Sequence, residues 1–127
     1  MAGLQILYHH TDQQSARKIL KTKKILRSRG GDGNAFYGEG AYLTSIGPYA
    51  SPLQVAKNNY DGSSFYYERK LTQTEVIFKL EVKAIKCSEE RDIYRTAGDI
   101  PMSKCLTIFV RDEEAPSGLR IYHCRNR

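Results

Sequence analysis

An alternating run between residues 75 and 85 is the feature that most constrains the fold of this 127-residue chain. Large apolar side chains recur there at every second position, and they are Val76, Phe78, Leu80 and Val82. The positions between them carry mostly charged side chains. Because successive side chains of a strand point to opposite faces of a sheet, the alternation predicts a strand with one face buried in the core.

Shorter patterns place the other elements. The segments predicted before this run are a strand at 4–10, a helix at about 12–22, a short strand at 41–44 and a second helix at 53–59. The segments predicted after it are a mostly irregular stretch at 87–104 and strands at 106–110 and 119–124. Helices come early and strands dominate late, which indicates an α+β chain and not an alternating βαβ chain. The length fits a single domain spanning residues 1–127.

The charge balance of the chain is basic. Lys and Arg number 20 against 14 Asp and Glu, which gives a net charge of +6. Seven of these cations lie between residues 17 and 29. Such a cluster suits an anionic partner, either nucleic acid or a charged cofactor, although a solvated helix face has the same composition.

Cysteine spacing and hydropathy give expectations for the cellular compartment of the protein and for membrane association. The 3 cysteines are far apart, which is typical of free thiols in a reducing, intracellular compartment and not of a zinc site or a disulfide framework. No apolar stretch approaches the length of a membrane-spanning helix, and no signal peptide is visible, so we expect no membrane association. A secreted effector remains an open alternative.

Two local motifs invite functional interpretation. Gly38 and Gly40 form half of a dinucleotide fingerprint, but no strong strand precedes them and no helix follows, so a Rossmann site is not predicted. His9 and His10 are adjacent at a strand end, where alternation lets only one of them face a given site. Adjacent histidines rarely chelate one ion, and we expect no metal.

The order of these motifs resembles a known superfamily. Leu-Tyr-His-His-Thr at 7–11, a following helix, and Gly-Glu-Gly-Ala-Tyr-Leu-Thr at 38–44 are similar to the ADP-ribosyltransferase superfamily, and most to the small toxin-like domains of its H-Y-D/E branch. The resemblance is good over 4–60, moderate over 75–85 and poor after Lys86. It implies a split β-sheet core with two short helices. It also implies NAD-dependent transfer of ADP-ribose, with release of nicotinamide, to a protein, nucleic acid or small molecule.

The resemblance implies roles for three residues of the first motif. His9 falls on the histidine that hydrogen-bonds the 2′-hydroxyl of the nicotinamide ribose. His10 occupies the position where the poly-ADP-ribose polymerases of this superfamily carry a glycine, whose backbone holds the carboxamide of nicotinamide. Thr11 falls on the hydroxyl residue that helps to hold the same carboxamide.

The remaining candidate NAD contacts are aromatic residues, which the resemblance implies, and cations of the basic cluster. Tyr42 falls on the tyrosine that stacks on the nicotinamide ring, and Tyr49 or Tyr60 could supply a second tyrosine. Arg27 and Arg29 could meet the pyrophosphate, because guanidinium groups bind phosphate oxygens strongly.

The third motif residue is an acid in this branch, and four candidates remain. The placement in the rifamycin-modifying members favours Asp92, with Asp99 second. A polymerase-like placement would favour Asp112 or Glu113. The role is physically coherent, because loss of nicotinamide leaves a positively charged, oxocarbenium-like ribose that a fixed carboxylate stabilises.

Three alternative functions stay open at the level of the sequence. The first is a basic nucleic-acid-binding module without catalysis, supported by the charge and by the 9 tyrosines, which could stack on bases. The second is an enzyme like the RNA 2′-phosphotransferases, which are similar in fold. The third is an inactive NAD-binding domain. For ADP-ribosyl transfer and for all three alternatives, we expect the chain to be a monomer.

Overall fold

The computed structural model describes residues 3–27, 40–59 and 71–124. Along the chain its elements are β1 (Gln5–Thr11), α1 (Gln13–Thr22), β2 (Lys24–Ile25), β3 (Tyr42–Leu43), α2 (Pro52–Asn59), β4 (Val76–Val82), β5 (Ile85–Lys86), β6 (Tyr94–Arg95), β7 (Ile100–Pro101), β8 (Cys105–Arg111) and β9 (Leu119–His123). Two short 3-10 helices, Leu71–Thr74 and Met102–Lys104, complete the list.

The alternating run forms β4, an inner strand of a four-stranded antiparallel sheet in the order β1-β4-β8-β9. Its four alternating apolar side chains are all buried in the main core, as predicted. Ile77 on the opposite face is also fully buried, because it packs with Phe109 and Leu119 in a second cluster. Burial of both faces explains why β4 is central to the fold.

The first helix forms where its capping residues predict it. The Asp12 carboxylate accepts a hydrogen bond from the Ser15 backbone N–H at 2.6 Å, which satisfies a free donor at the start of α1. Ala16 and Ile19 face the core. Lys23 ends the helix in the left-handed conformation, with φ 63°, and its N–H bonds the Ile19 carbonyl.

Two smaller antiparallel sheets lie outside the main one. One has the order β3-β6-β5, and the other consists of β2 and β7. The prediction of an irregular segment over 87–104 is therefore wrong in part, since β6 and β7 lie within it. Strands of two residues are too short to carry a local pattern, and they form because a partner strand supplies the hydrogen bonds. The alternating run also ends earlier than predicted, at Val82.

The predicted fold class is confirmed, because the described chain is α+β with two short α-helices and a β-sheet core split into separate sheets. Neither of the helices in the described ranges is long and apolar enough to cross a membrane.

Candidate functional site

The middle of β1 lies against β3 and the residue that follows it, and this contact builds the candidate site. The backbones of Tyr8 and Thr44 exchange two hydrogen bonds of 2.7 and 3.0 Å. One residue further along β1, the Nδ1 atom of His9 lies 3.2 Å from the carbonyl oxygen of Tyr42. The structure thus brings together the first two residues of the predicted motif, which are separated by 33 positions in the sequence.

The contact with Tyr42 determines the chemistry of the His9 ring. A carbonyl oxygen only accepts hydrogen bonds, so Nδ1 carries the proton and Nε2 is left with a lone pair. Burial lowers the pKa of His9, and the bond to the Tyr42 carbonyl opposes that shift without cancelling it. The partly buried ring also packs at 6.4 Å from the ring of Phe78. His9 is therefore a neutral, oriented acceptor at physiological pH.

His10 contacts a different segment of the chain. Its Nε2 atom lies 2.8 Å from the carbonyl oxygen of Ile46, beyond the end of β3. The side chain is buried, and its Nδ1 atom is without a hydrogen-bond partner in the part of the chain that the structure describes. Burial lowers the pKa of His10 to about 4, with a smaller contribution from the positive charge of Arg111. Thr11, next along β1, is also buried.

Asp92 is attached to the other end of the same short strand. Its Oδ1 atom accepts the Ser45 backbone N–H at 2.8 Å, and its Oδ2 atom accepts the Ser45 hydroxyl. The Asn58 side chain bonds the Asp92 backbone at both N–H and carbonyl, at 2.8 and 2.7 Å, and reaches Thr44 Oγ1 at 3.3 Å. The Asp92 carboxylate is therefore held at Ser45, which is three residues after Tyr42 in the sequence.

The other candidate acids have different partners. Asp99 accepts the backbone N–H of Arg27 at 2.7 Å. Asp112 pairs with the Arg120 guanidinium across the β8–β9 hairpin, and that hydrogen bond lowers the pKa of its carboxyl group. Glu113 is exposed on the same hairpin. Among these acids in the described ranges, only Asp92 is hydrogen-bonded to the segment that directly follows β3.

The remaining NAD-contact candidates are placed only in part. Tyr49 is 73% exposed, and its ring meets the Phe109 ring edge-on at 6.5 Å. It lies in the loop after β3. Arg27 is exposed beside Asp99. Tyr60 and Arg29 lie outside the described residues.

The glycine motif before β3 has a structural role at its second glycine. Gly40 has φ +153°, and a Cβ atom there would lie 2.3 Å from the Thr96 carbonyl oxygen. Ala41 and Thr96 exchange hydrogen bonds beside it. The missing side chain of Gly40 therefore allows its backbone to pack closely against the backbone of Thr96. Gly38 lies outside the described residues.

Sequence reasoning missed Arg111, which braces the loop after β3. Its partly buried guanidinium donates to the carbonyl oxygens of Thr74, Pro48 and Ala50 at 2.7, 3.3 and 3.2 Å. Burial lowers the pKa of Arg111. In the sequence, Arg111 is only a cation at the end of an apolar strand. That pattern does not distinguish an arginine that holds backbone carbonyl groups from one that is solvated.

Comparison with known proteins gives a match to a protein family. A family model described as HYD1 signature containing ADP-ribosyltransferase matches residues 7–100. No curated protein and no solved structure matches the chain. The matched segment includes His9, Tyr42 and Asp92 and ends before the β8–β9 hairpin that carries Asp112 and Glu113.

Proposed function

Because the chain belongs to the family of ADP-ribosyltransferases with the HYD1 signature, we propose that it cleaves NAD and transfers the ADP-ribose group. The glycosidic bond between C1′ of the ribose and the nicotinamide nitrogen breaks, and its electron pair leaves with nicotinamide. A nucleophile of the acceptor then forms a bond to C1′ and loses its proton. The acceptor is a protein, a nucleic acid or a small molecule.

The observation that carries this proposal is the bond between His9 and the backbone of Tyr42. It leaves Nε2 of His9 as a fixed acceptor for a ribose hydroxyl, and this role needs no positive charge. Strand β3 also carries the partly buried side chain of Tyr42, whose ring is a flat apolar surface for nicotinamide. In this proposal β3 therefore orients His9, which binds the ribose, and carries Tyr42, which binds the leaving group.

Asp92 is the proposed acid. Its two hydrogen bonds with Ser45 fix the carboxylate before the reaction begins, and such preorganised charge is effective where positive charge develops. A carboxylate has about four lone-pair sites, so each oxygen keeps capacity after bonding Ser45. We assign Asp92 the stabilisation of the ribosyl cation and not the binding of ground-state NAD.

The other NAD contacts follow the resemblance. His10, through its backbone, and Thr11 hold the carboxamide of nicotinamide. Arg29 meets the pyrophosphate, and Tyr49 or Tyr60 supplies the second aromatic wall. NAD as the substrate fits an intracellular site of action, reached either where the chain is made or after delivery as a secreted effector.

The experiment that tests the proposal follows NAD labelled in its adenylate part. The full chain is incubated with it in a mixed cell lysate, and nicotinamide release is measured beside label in protein, nucleic acid and small molecules. We expect nicotinamide release with label transferred to one of these classes. Label that stays entirely in intact NAD contradicts the proposal.

A further inference from the structure

A second group of cations lies around the C-terminal end of α1 and the segments that pair with it. We name it the basic face and define it by five lysines, Lys21, Lys23, Lys24, Lys83 and Lys104. All five side chains are exposed. None makes an ion pair with an acid in the ranges that the structure describes.

Backbone pairing joins the segments that carry Lys23, Lys24 and Lys104. Lys24 of β2 lies opposite Pro101 of β7 in the small antiparallel sheet. The Met102 N–H donates to the Lys23 carbonyl at 2.9 Å. These bonds tie the end of α1 to the 3-10 helix that ends at Lys104. The sequence places the cations of 17–29 in one cluster, and the fold adds Lys104 to it.

A depression of about 420 Å³ adjoins two of these lysines. Lys83 and Lys104 line it, together with Thr96, Gly98 and apolar residues that include Val82 and Ile100. Among the described residues of its lining, Asp99 is the one acid, and its carboxylate accepts the Arg27 backbone N–H. Two lysines against one aspartate give this described lining a net positive charge.

We propose that the basic face binds the phosphate backbone of a nucleic acid. Several exposed ammonium groups on one surface suit a polyanion, because each phosphate contact releases counterions and adds affinity. A protein partner fits less well, since lysine is depleted and aromatic residues are enriched where proteins bind each other. Of the lining residues that the structure describes, none is aromatic. The binding does not depend on the NAD reaction.

The test uses the full chain and a labelled single-stranded oligonucleotide of about 20 nucleotides, which exceeds the site of a small domain. Fluorescence anisotropy gives Kd over a series of salt concentrations. We expect Lys24→Gln/Lys104→Gln to weaken binding about tenfold at low salt. The slope of log K against log salt should become less negative by about 1.4, or about 0.7 for each lost phosphate contact.

The matched control is Lys57→Gln/Lys86→Gln, which removes two exposed lysines on α2 and β5 and changes the net charge equally. We expect this variant to bind within about twofold of the wild type, because its lysines lie outside the basic face. An equal loss in both double variants overturns the proposal, and so does a wild-type chain that does not bind. Competition by polyglutamate as effective as that by unlabelled oligonucleotide also overturns it, because that result indicates an acidic protein partner.

Nicotinamide release from NAD, measured without nucleic acid, separates this proposal from the proposed function. Neither double variant changes a residue assigned to NAD, so both should release nicotinamide at the wild-type rate. Loss of oligonucleotide binding with normal release supports the basic face. If Lys24→Gln/Lys104→Gln loses both oligonucleotide binding and nicotinamide release, while the control variant keeps them, the claim of a separate surface is overturned.

Discussion

His9 and Tyr42 are joined across two strands by a single hydrogen bond, from Nδ1 of the imidazole ring to the main-chain carbonyl oxygen at 3.2 Å. The bond uses the backbone of Tyr42 and not its side chain. It therefore fixes the tautomer of His9, while the phenol ring is not needed for that bond. Asp92 reaches the same strand at its far end through Ser45.

Asp92→Asn should lower the turnover of NAD far more than the affinity for NAD. The carboxylate interacts weakly with ground-state NAD and strongly with the cation that develops during cleavage. Removing one preorganised group of this kind costs on the order of 100-fold or more in rate. Nicotinamide release gives the rate, and titration calorimetry gives the affinity.

Two controls separate the charge of Asp92 from its structural contact. Ser45→Ala removes the hydroxyl donor but keeps the carboxylate, so it should reduce turnover much less than Asp92→Asn. Asp99→Asn changes an acid whose partner is the backbone of Arg27, and its turnover should stay normal. If Asp99→Asn, Asp112→Asn or Glu113→Gln is inactive while Asp92→Asn is normal, the third motif residue is that acid instead.

Tyr42→Ala should weaken NAD use while leaving the fold largely intact, whereas Tyr42→Phe should retain most of the activity. The ring is what the account requires, as a wall for nicotinamide, and Phe keeps it. Tyr122→Ala is the matched control, because Tyr122 is exposed on the edge strand β9. Steady-state nicotinamide release measures all three variants, and full activity in Tyr42→Ala refutes the stacking role.

Arg111→Met should destabilise the chain by about 2 kcal/mol, because it leaves three main-chain carbonyl groups without their charged donor. For a domain of this size, that corresponds to a fall of roughly 7 °C in Tm. Arg120→Met is the control, since Arg120 pairs with Asp112 on the exposed hairpin and solvent screening leaves such surface pairs with little effect on stability. Equal losses in calorimetric scans would show that Arg111 does not brace the loop.

Stability should fall as the pH drops from 6.5 towards 4. The pKa of His10 is about 4 in the folded chain, below the ordinary value of about 6.5. The unfolded chain therefore binds the proton in this window and the folded chain does not, which favours unfolding at lower pH. The expected loss attributable to His10 between pH 7 and pH 5 is about 2 kcal/mol.

Urea unfolding of the wild type and of His10→Gln at the two pH values measures this contribution. Glutamine has a donor that can reach the Ile46 carbonyl but no group that titrates near neutrality. His10→Gln should therefore lose about 2 kcal/mol less than the wild type between pH 7 and pH 5. An unchanged pH dependence would show that His10 titrates at its ordinary pKa in the folded chain.

The elements that could be predicted from the sequence are those with a local signal. β4 follows from strict alternation, and α1 follows from its cap at Asp12 and from Ala16 and Ile19. β6 and β7 could not be predicted, because two residues carry no periodicity and their pairing depends on distant partners. Element type therefore follows from local pattern only where a segment is long enough to express one.

The candidate site divides in the same way. The motif resemblance singled out His9, Tyr42 and Asp92, but it carried no information on how the chain supports them. The bond between Ser45 and Asp92 joins residues 47 positions apart, and Arg111 braces carbonyls more than 60 positions away. Such contacts depend on tertiary packing, which a local pattern does not record.

The most direct test of the account is the rate of nicotinamide release by His9→Asn beside wild type and His10→Gln. Asparagine places an amide donor near the position of Nδ1, so the bond to the Tyr42 carbonyl can persist, but it has no acceptor where Nε2 stands. The account predicts that His9→Asn folds normally and loses nearly all turnover, while His10→Gln is affected much less. Wild-type turnover in His9→Asn, or equal losses at both positions, would contradict it.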